Sequence, residues 1–127
     1  LLNEGEVEKF QLARVNFDAG KKAKASISYE VAYRFFKQGV ELLPGPGKPA
    51  WKKEYELALA LYSNAGETAY LSGKPEKGER YFAAVLVNAK TLLDKIKVYE
   101  IKISIFTLIP PEAWSVQAWP SMTPCAT

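Results

Sequence analysis

The chain has 127 residues, 48% apolar and 24% charged, with a formal charge of +3. Those totals fit one globular domain with a modest core, and the charge is too small to argue for nucleic acid by itself. No apolar run nears the roughly 18 residues that a bilayer-spanning helix needs, and the single cysteine, Cys125, cannot form an internal disulfide.

The chain opens on Leu1 with no signal-peptide pattern, and its one methionine is Met122. It therefore reads as an internal piece of a longer cytosolic polypeptide. The first predicted helix covers 9–24, where Phe10, Ala13, Phe17 and Gly20 share a face. Ser26 is the expected N-cap of the second helix. That helix carries Tyr29, Ala32, Phe36, Gly39, Val40 and Leu43 on one stripe and stops before Pro44.

Residues 44–50 hold three prolines and two glycines, which predicts a loop. The third helix is expected from Trp51 to Leu71, with Trp51, Tyr55, Ala58, Tyr62, Ala65 and Ala69 on its stripe and with Leu57, Leu59 and Leu61 widening it for packing on two sides. Ser72, Gly73 and Lys74 make a turn, and Pro75 suits the first position of the fourth helix. Gly78, Phe82, Val85, Ala89 and Leu92 form that helix's stripe, and Asp94 is the expected cap of a fifth.

The fifth segment carries two signals. Ile101, Ile103 and Ile105 alternate with Lys102 and Ser104, a strand period of β-branched residues. The family resemblance set out below makes it a helix. Residues 110–127 hold Pro110, Pro111, Pro120 and Pro124 together with Trp114 and Trp119. They read as an irregular tail that folds back over an open end, and residues 1–109 read as the helical domain.

Two stretches repeat one another. Gly20 precedes Ala32 by 12 residues and Phe36 by 16, and Gly66 precedes Gly78 and Phe82 by the same distances. Small residues let two helices approach closely while the aromatic fills the space between neighbouring units. The two glycines are 46 residues apart, and the extra length over a 34-residue period sits at the Pro-Gly loop. This pattern resembles tetratricopeptide repeats, which implies an all-α fold of antiparallel helix–turn–helix repeats, a TPR-like α-solenoid fragment. The expected content is about two repeats and the first helix of a third. The chain departs from the pattern at Asn16, where a bulky residue belongs, at Gly78 in place of alanine, and at Lys90 in place of the closing proline.

A narrower resemblance covers residues 9–103. The runs Ala19–Ser26, Ala69–Gly73 and Asn88–Lys102 are similar to the helical-repeat region of large bacterial multidomain signalling proteins. In that family a serine/threonine kinase-like domain and an AAA-type ATPase precede the repeats, and GAF and histidine-kinase domains follow them. The resemblance implies a further repeat helix after Asp94. From Ser104 onward the chain departs from the family.

Little in the sequence points to catalysis. It has no histidine, so it can hold no Ser-His-Asp or Cys-His machinery, no histidine metal site and no phospho-accepting histidine. Gly45-Pro-Gly-Lys48 lacks the spacing and the hydroxyl of a phosphate loop, with Pro49 where Ser or Thr is required. Glu54, Glu56, Glu76 and Glu79 lie among lysines and read as solvated surface. Cys125 has no histidine or metal partner to activate it.

The expected function is therefore a non-catalytic protein–protein interaction and scaffold module, cytoplasmic, using no cofactor and no metal. Its partners would be a protein or peptide, neighbouring domains of the parent chain, or a second copy, with no membrane. Tyr33, Arg34 and Tyr55 are the candidate partner contacts. The alternative is a nucleic-acid-binding helical module using the basic cluster Lys21, Lys22 and Lys24. Against it, that cluster lacks interleaved aromatics and suits a helix C-terminus meeting its dipole.

Overall fold

The computed structural model describes residues 4–43 and 48–108. Among them are six helices and no strand: α1 (Glu4–Ala25), α2 (Tyr29–Leu42), α3 (Lys48–Lys53), α4 (Tyr55–Leu71), α5 (Pro75–Asn88) and α6 (Leu92–Leu108). The expected tail, with Trp114, Trp119 and Cys125, lies outside the described residues, as does Pro44-Gly-Pro-Gly47.

Two short turns make two helical hairpins, α1–α2 and α4–α5. Both turns end the first helix in the same way. In the first, Ser28 N–H donates to the Ala23 carbonyl and Ile27 N–H to that of Lys24. In the second, Lys74 N–H donates to Ala69 and Gly73 N–H to Tyr70. These are the paired bonds of a Schellman motif, whose closing residue is left-handed; Ile27 has φ 60° and Gly73 φ 86°. The residue preceding α2 is thus Ser28 and not the expected Ser26, and it makes no side-chain capping bond.

The cross-seam contacts give the hairpins their stacking direction. Glu6, Arg14 and Lys24 of α1 meet Lys53, Glu54 and Glu67 in the same order along the chain, so α1 and α4 run parallel. Tyr55 meets Asp94 and Tyr70 meets Phe106, so α6 runs parallel to α4. Glu30 and Tyr33 of α2 meet Lys74 and Tyr81, so α2 and α5 run parallel. The architecture is two layers, α1/α4/α6 and α2/α5, with α2 packed on both α1 and α4.

One apolar core runs between the layers. Phe36, Leu61, Phe82, Val85, Val98 and Ile105 are its fully buried large members. A Cβ on Gly20 would stand 2.6 Å from Cε1 of Phe36, and one on Gly66 would stand 2.6 Å from Cε1 of Phe82. Only a hydrogen at those two positions lets the rings seat against the helix backbone.

Four further sequence expectations need correction. The loop expected over 44–50 does not extend through 48–50, which are helical in α3; a proline in a first turn lacks only an N–H that would have no helical partner. The expected helix from Trp51 to Leu71 is bent at Glu54, at φ −138° and ψ 63°. Glu54 still donates to Ala50 and accepts from Ala58, so the hydrogen-bonded chain passes through the bend. The α5 stripe was expected to reach Leu92, but α5 ends at Asn88; Leu92 is 72% exposed and opens α6. The α6 cap is Thr91, whose Oγ1 accepts from Asp94 N–H at 3.1 Å, with Asp94 in the first turn. Residues 101–105 are helical, as the family resemblance implied.

Candidate interaction surfaces

Three surfaces offer themselves. The first is the outer face of α6. Val98 and Ile105 point into the core, with Ile101 and Phe106 packed against it. Leu92, Ile96, Tyr99 and Ile103 recur at steps of four, three and four, so they form a second stripe on one face. They are 72%, 40%, 51% and 66% exposed. α6 is thus apolar on two sides and, among the described residues, covered on one.

The second is a groove of about 290 Å³ between α2 and α5, lined by Tyr33, Lys37, Lys77, Arg80 and Tyr81. Tyr33 and Lys37 are one turn apart on α2, and Lys77, Arg80 and Tyr81 share a face of α5. The Tyr33 and Tyr81 rings meet edge to face at 6.3 Å. The Tyr33 hydroxyl is buried without a hydrogen bond of acceptable geometry; its interaction with the Tyr81 hydroxyl still helps to hold Tyr81 protonated. Burial is the larger reason the Tyr81 pKa is pushed up. At the edge, the Lys74 ammonium lies 5.2 Å over the Tyr33 ring and binds Glu30 at 2.7 Å. That bond holds the Glu30 carboxyl below its ordinary value.

The third is a hollow of similar size between α1 and α4, lined by Arg14, Phe17, Asp18, Glu56, Leu57 and Ala60. Its charges are mixed and Arg14 is tied to Glu54 at 2.5 Å, so no single sign dominates.

The three candidate contacts fall in different places. Tyr33 forms part of the floor of the α2/α5 groove, only 3% exposed. Arg34 is exposed on α2, close enough to Glu30 to help depress its pKa. Tyr55 lies on α4, apart from the other two. Its hydroxyl donates to Asp94 at 2.6 Å and accepts the Lys90 N–H at 2.8 Å, which fastens α4 to the start of α6. Partial burial and the Asp94 carboxylate both raise its pKa. The sequence reading did not single out Lys37, Lys77 and Arg80. Their spacing on two separate helices gave no sign that the helices adjoin.

The basic cluster of α1 is largely engaged. Lys24 binds Glu67 at 2.6 Å and Asn64 at 3.0 Å. Lys21 lies 4.7 Å over the Phe17 ring and 4.0 Å from Asp18. Of the carboxylates considered for acid–base chemistry, Glu54 pairs with Arg14 and Glu79 with Lys102. Among the described residues no cluster of three His, Cys, Asp or Glu side chains could hold a metal ion. No helix among them is long and apolar enough to cross a membrane.

Comparison with known proteins gives a weak, partial likeness. Over 89 residues the chain is 24% identical to the "Hybrid signal transduction histidine kinase G" of Dictyostelium discoideum, which covers 65% of this chain and 3% of that protein. The chain thus spans a small part of the relative it matches. No family model matches it, and no solved structure matches it significantly. Together with the all-helical fold, the likeness is consistent with a helical module associated with signalling.

Proposed function

We propose that this chain is a non-catalytic, tetratricopeptide-like segment of a large cytoplasmic signalling protein, where it connects an ATPase-like part to a sensor-kinase part. It stacks between neighbouring helical hairpins and recruits protein partners. The observation that carries this reading is the two-sided apolar character of α6. In a stacked array each helix has a preceding and a following neighbour, as α2 has α1 and α4. α6 meets α4 and α5 through Val98 and Ile105, and presents Leu92, Ile96, Tyr99 and Ile103 on its outer face. The next helix of the parent chain is the occupant that this face fits. The bacterial multidomain arrangement named above, repeats between ATPase and GAF domains, supports the same reading, as does the likeness to a small part of a histidine kinase.

Hydrogen–deuterium exchange tests it. In a longer piece of the parent protein, amides near Ile96 and Ile103 should exchange at least tenfold more slowly than in this chain alone. Equal exchange in both would remove the stacking role. Calorimetry with ATP and magnesium should show no heat of binding, and micromolar binding would end the non-catalytic reading.

A further inference from the structure

The α2/α5 groove has a character that stacking does not use. It is lined by three cations, Lys37, Lys77 and Arg80, and two phenols, with no carboxylate in its lining. Among the described residues none of the three cations forms a salt bridge, whereas Lys24, Lys53, Lys74, Lys102 and Arg14 each hold a carboxylate at 3.2 Å or less. The acids nearby bind none of its three cations directly. Glu30 is bonded to Lys74 and acts on Lys77 and Arg34 only through space, and Glu41 acts on Tyr81 only at a distance. Arg34, exposed on α2, adds a fourth cation beside the groove.

We propose that this groove docks an acidic peptide segment of a protein partner, with its carboxylates on Lys37, Lys77 and Arg80 and its chain lying over the Tyr33–Tyr81 floor. The inference rests on the protein-interaction reading above, but uses residues that the stacking face does not.

Charge complementarity and shape select this occupant. A patch of like charges with no counterion repels itself, and an anionic partner relieves that repulsion. The floor is aromatic and apolar between its hydroxyls, a surface on which a peptide backbone or side chain packs. The groove follows two parallel helices and suits an extended segment. A nucleic-acid strand is a poorer fit. Its phosphates recur along a track and reward many cations in line, and this cluster is short. The other lysine cluster lies in the other layer, on α1, with Lys24 already bound to Glu67.

The test uses fluorescence anisotropy with a labelled peptide of alternating Asp, Glu and Leu. The controls are its Asn/Gln counterpart, inorganic phosphate and a single-stranded oligonucleotide. Wild-type chain should bind the acidic peptide and not the amide counterpart. The charge reversal Lys77→Glu with Arg80→Glu, both on exposed side chains, should weaken binding at least tenfold while the far-UV circular dichroism stays unchanged. Equal binding by wild type and the double reversal would overturn the proposal, as would equal binding of the amide peptide. An oligonucleotide that displaces the peptide at lower concentration would replace a protein partner with a nucleic acid. Loss of peptide binding in an Ile96→Asp, Ile103→Asp variant that keeps its fold would place the site on α6 instead. If the α6 face fails its own test and the groove still binds, only the stacking reading falls.

Discussion

Ile27 holds in the first hairpin the backbone position that Gly73 holds in the second. Each is the left-handed residue that closes a helix, at φ 60° and 86°, and each follows the same pair of reversed hydrogen bonds. They are 46 residues apart, the separation of Gly20 from Gly66 and of Phe36 from Phe82. Glycine occupies this conformation without penalty. A β-branched side chain crowds its own backbone there, at a cost of roughly 1–2 kcal/mol.

The side chain of Ile27 is 71% exposed and contributes little to the core. Ile27→Gly should therefore stabilise the chain by about 1 kcal/mol, since the relief exceeds the added chain entropy of the unfolded state. Urea unfolding followed by circular dichroism measures it. A midpoint below that of wild type would mean that the turn is not strained.

The matched glycines should respond in the opposite sense. Alanine at position 20 or 66 gains about 1 kcal/mol of helix propensity. It also places a methyl 2.6 Å from a ring that is 0% exposed and has no room to move. Overpacking typically costs 1–3 kcal/mol, so both substitutions should lower the melting temperature. Phe36→Ala and Phe82→Ala should each cost about 3–5 kcal/mol. Glycine variants that melt with wild type would show that the core yields at these seats.

Tyr55→Phe removes two hydrogen bonds at the α4–α6 junction while keeping the tilted ring contact with Trp51 at 5.8 Å. A loss of about 1–3 kcal/mol follows, because one bond is to a carboxylate. The loss should be local, with faster amide exchange at Lys90–Ile96 than in α1 or α2. Uniformly faster exchange would show that α6 unfolds only with the rest.

How much of this was legible in the sequence differs between helices. α2 and α5 have one buried stripe each, so their positions follow from the spacing of Phe36 and Phe82 with their neighbours. α6 is different. A helix that is apolar on two sides places isoleucines at 101, 103 and 105, which also satisfies a strand's alternation. In the structure Ile105 is buried and Ile103 is 66% exposed, as a helix requires. The bend at Glu54 had no local signal, since neither glycine nor proline marks it. It lies where Trp51 is buried and Glu54 meets Arg14, both tertiary effects. The α2/α5 groove was half legible, with Tyr33 named and the α5 cations missed. Their convergence depends on α2 and α5 lying side by side.

Tyr55, Tyr62 and Tyr81 all hold their protons above the ordinary phenol value of 10.0, chiefly because of burial. Unfolded, they ionise near pH 10; folded, they stay protonated to higher pH. Stability from this source is therefore complete below pH 10 and falls as pH rises from there towards the raised values. The drop in melting temperature from pH 9 to pH 11 should shrink in Tyr62→Phe, which keeps the ring contacts with Trp51 and Tyr81. An unchanged drop would show that Tyr62 is not a source of the loss.

Sedimentation velocity of the wild-type chain beside an Ile96→Asp, Ile103→Asp variant tests the central claim most directly. If the outer stripe of α6 is a stacking face, the isolated wild-type chain should self-associate through it at high micromolar concentration. The variant should sediment as a monomer with unchanged helicity. A wild-type chain that stays monomeric to millimolar concentration, or a variant that associates equally, would contradict the account.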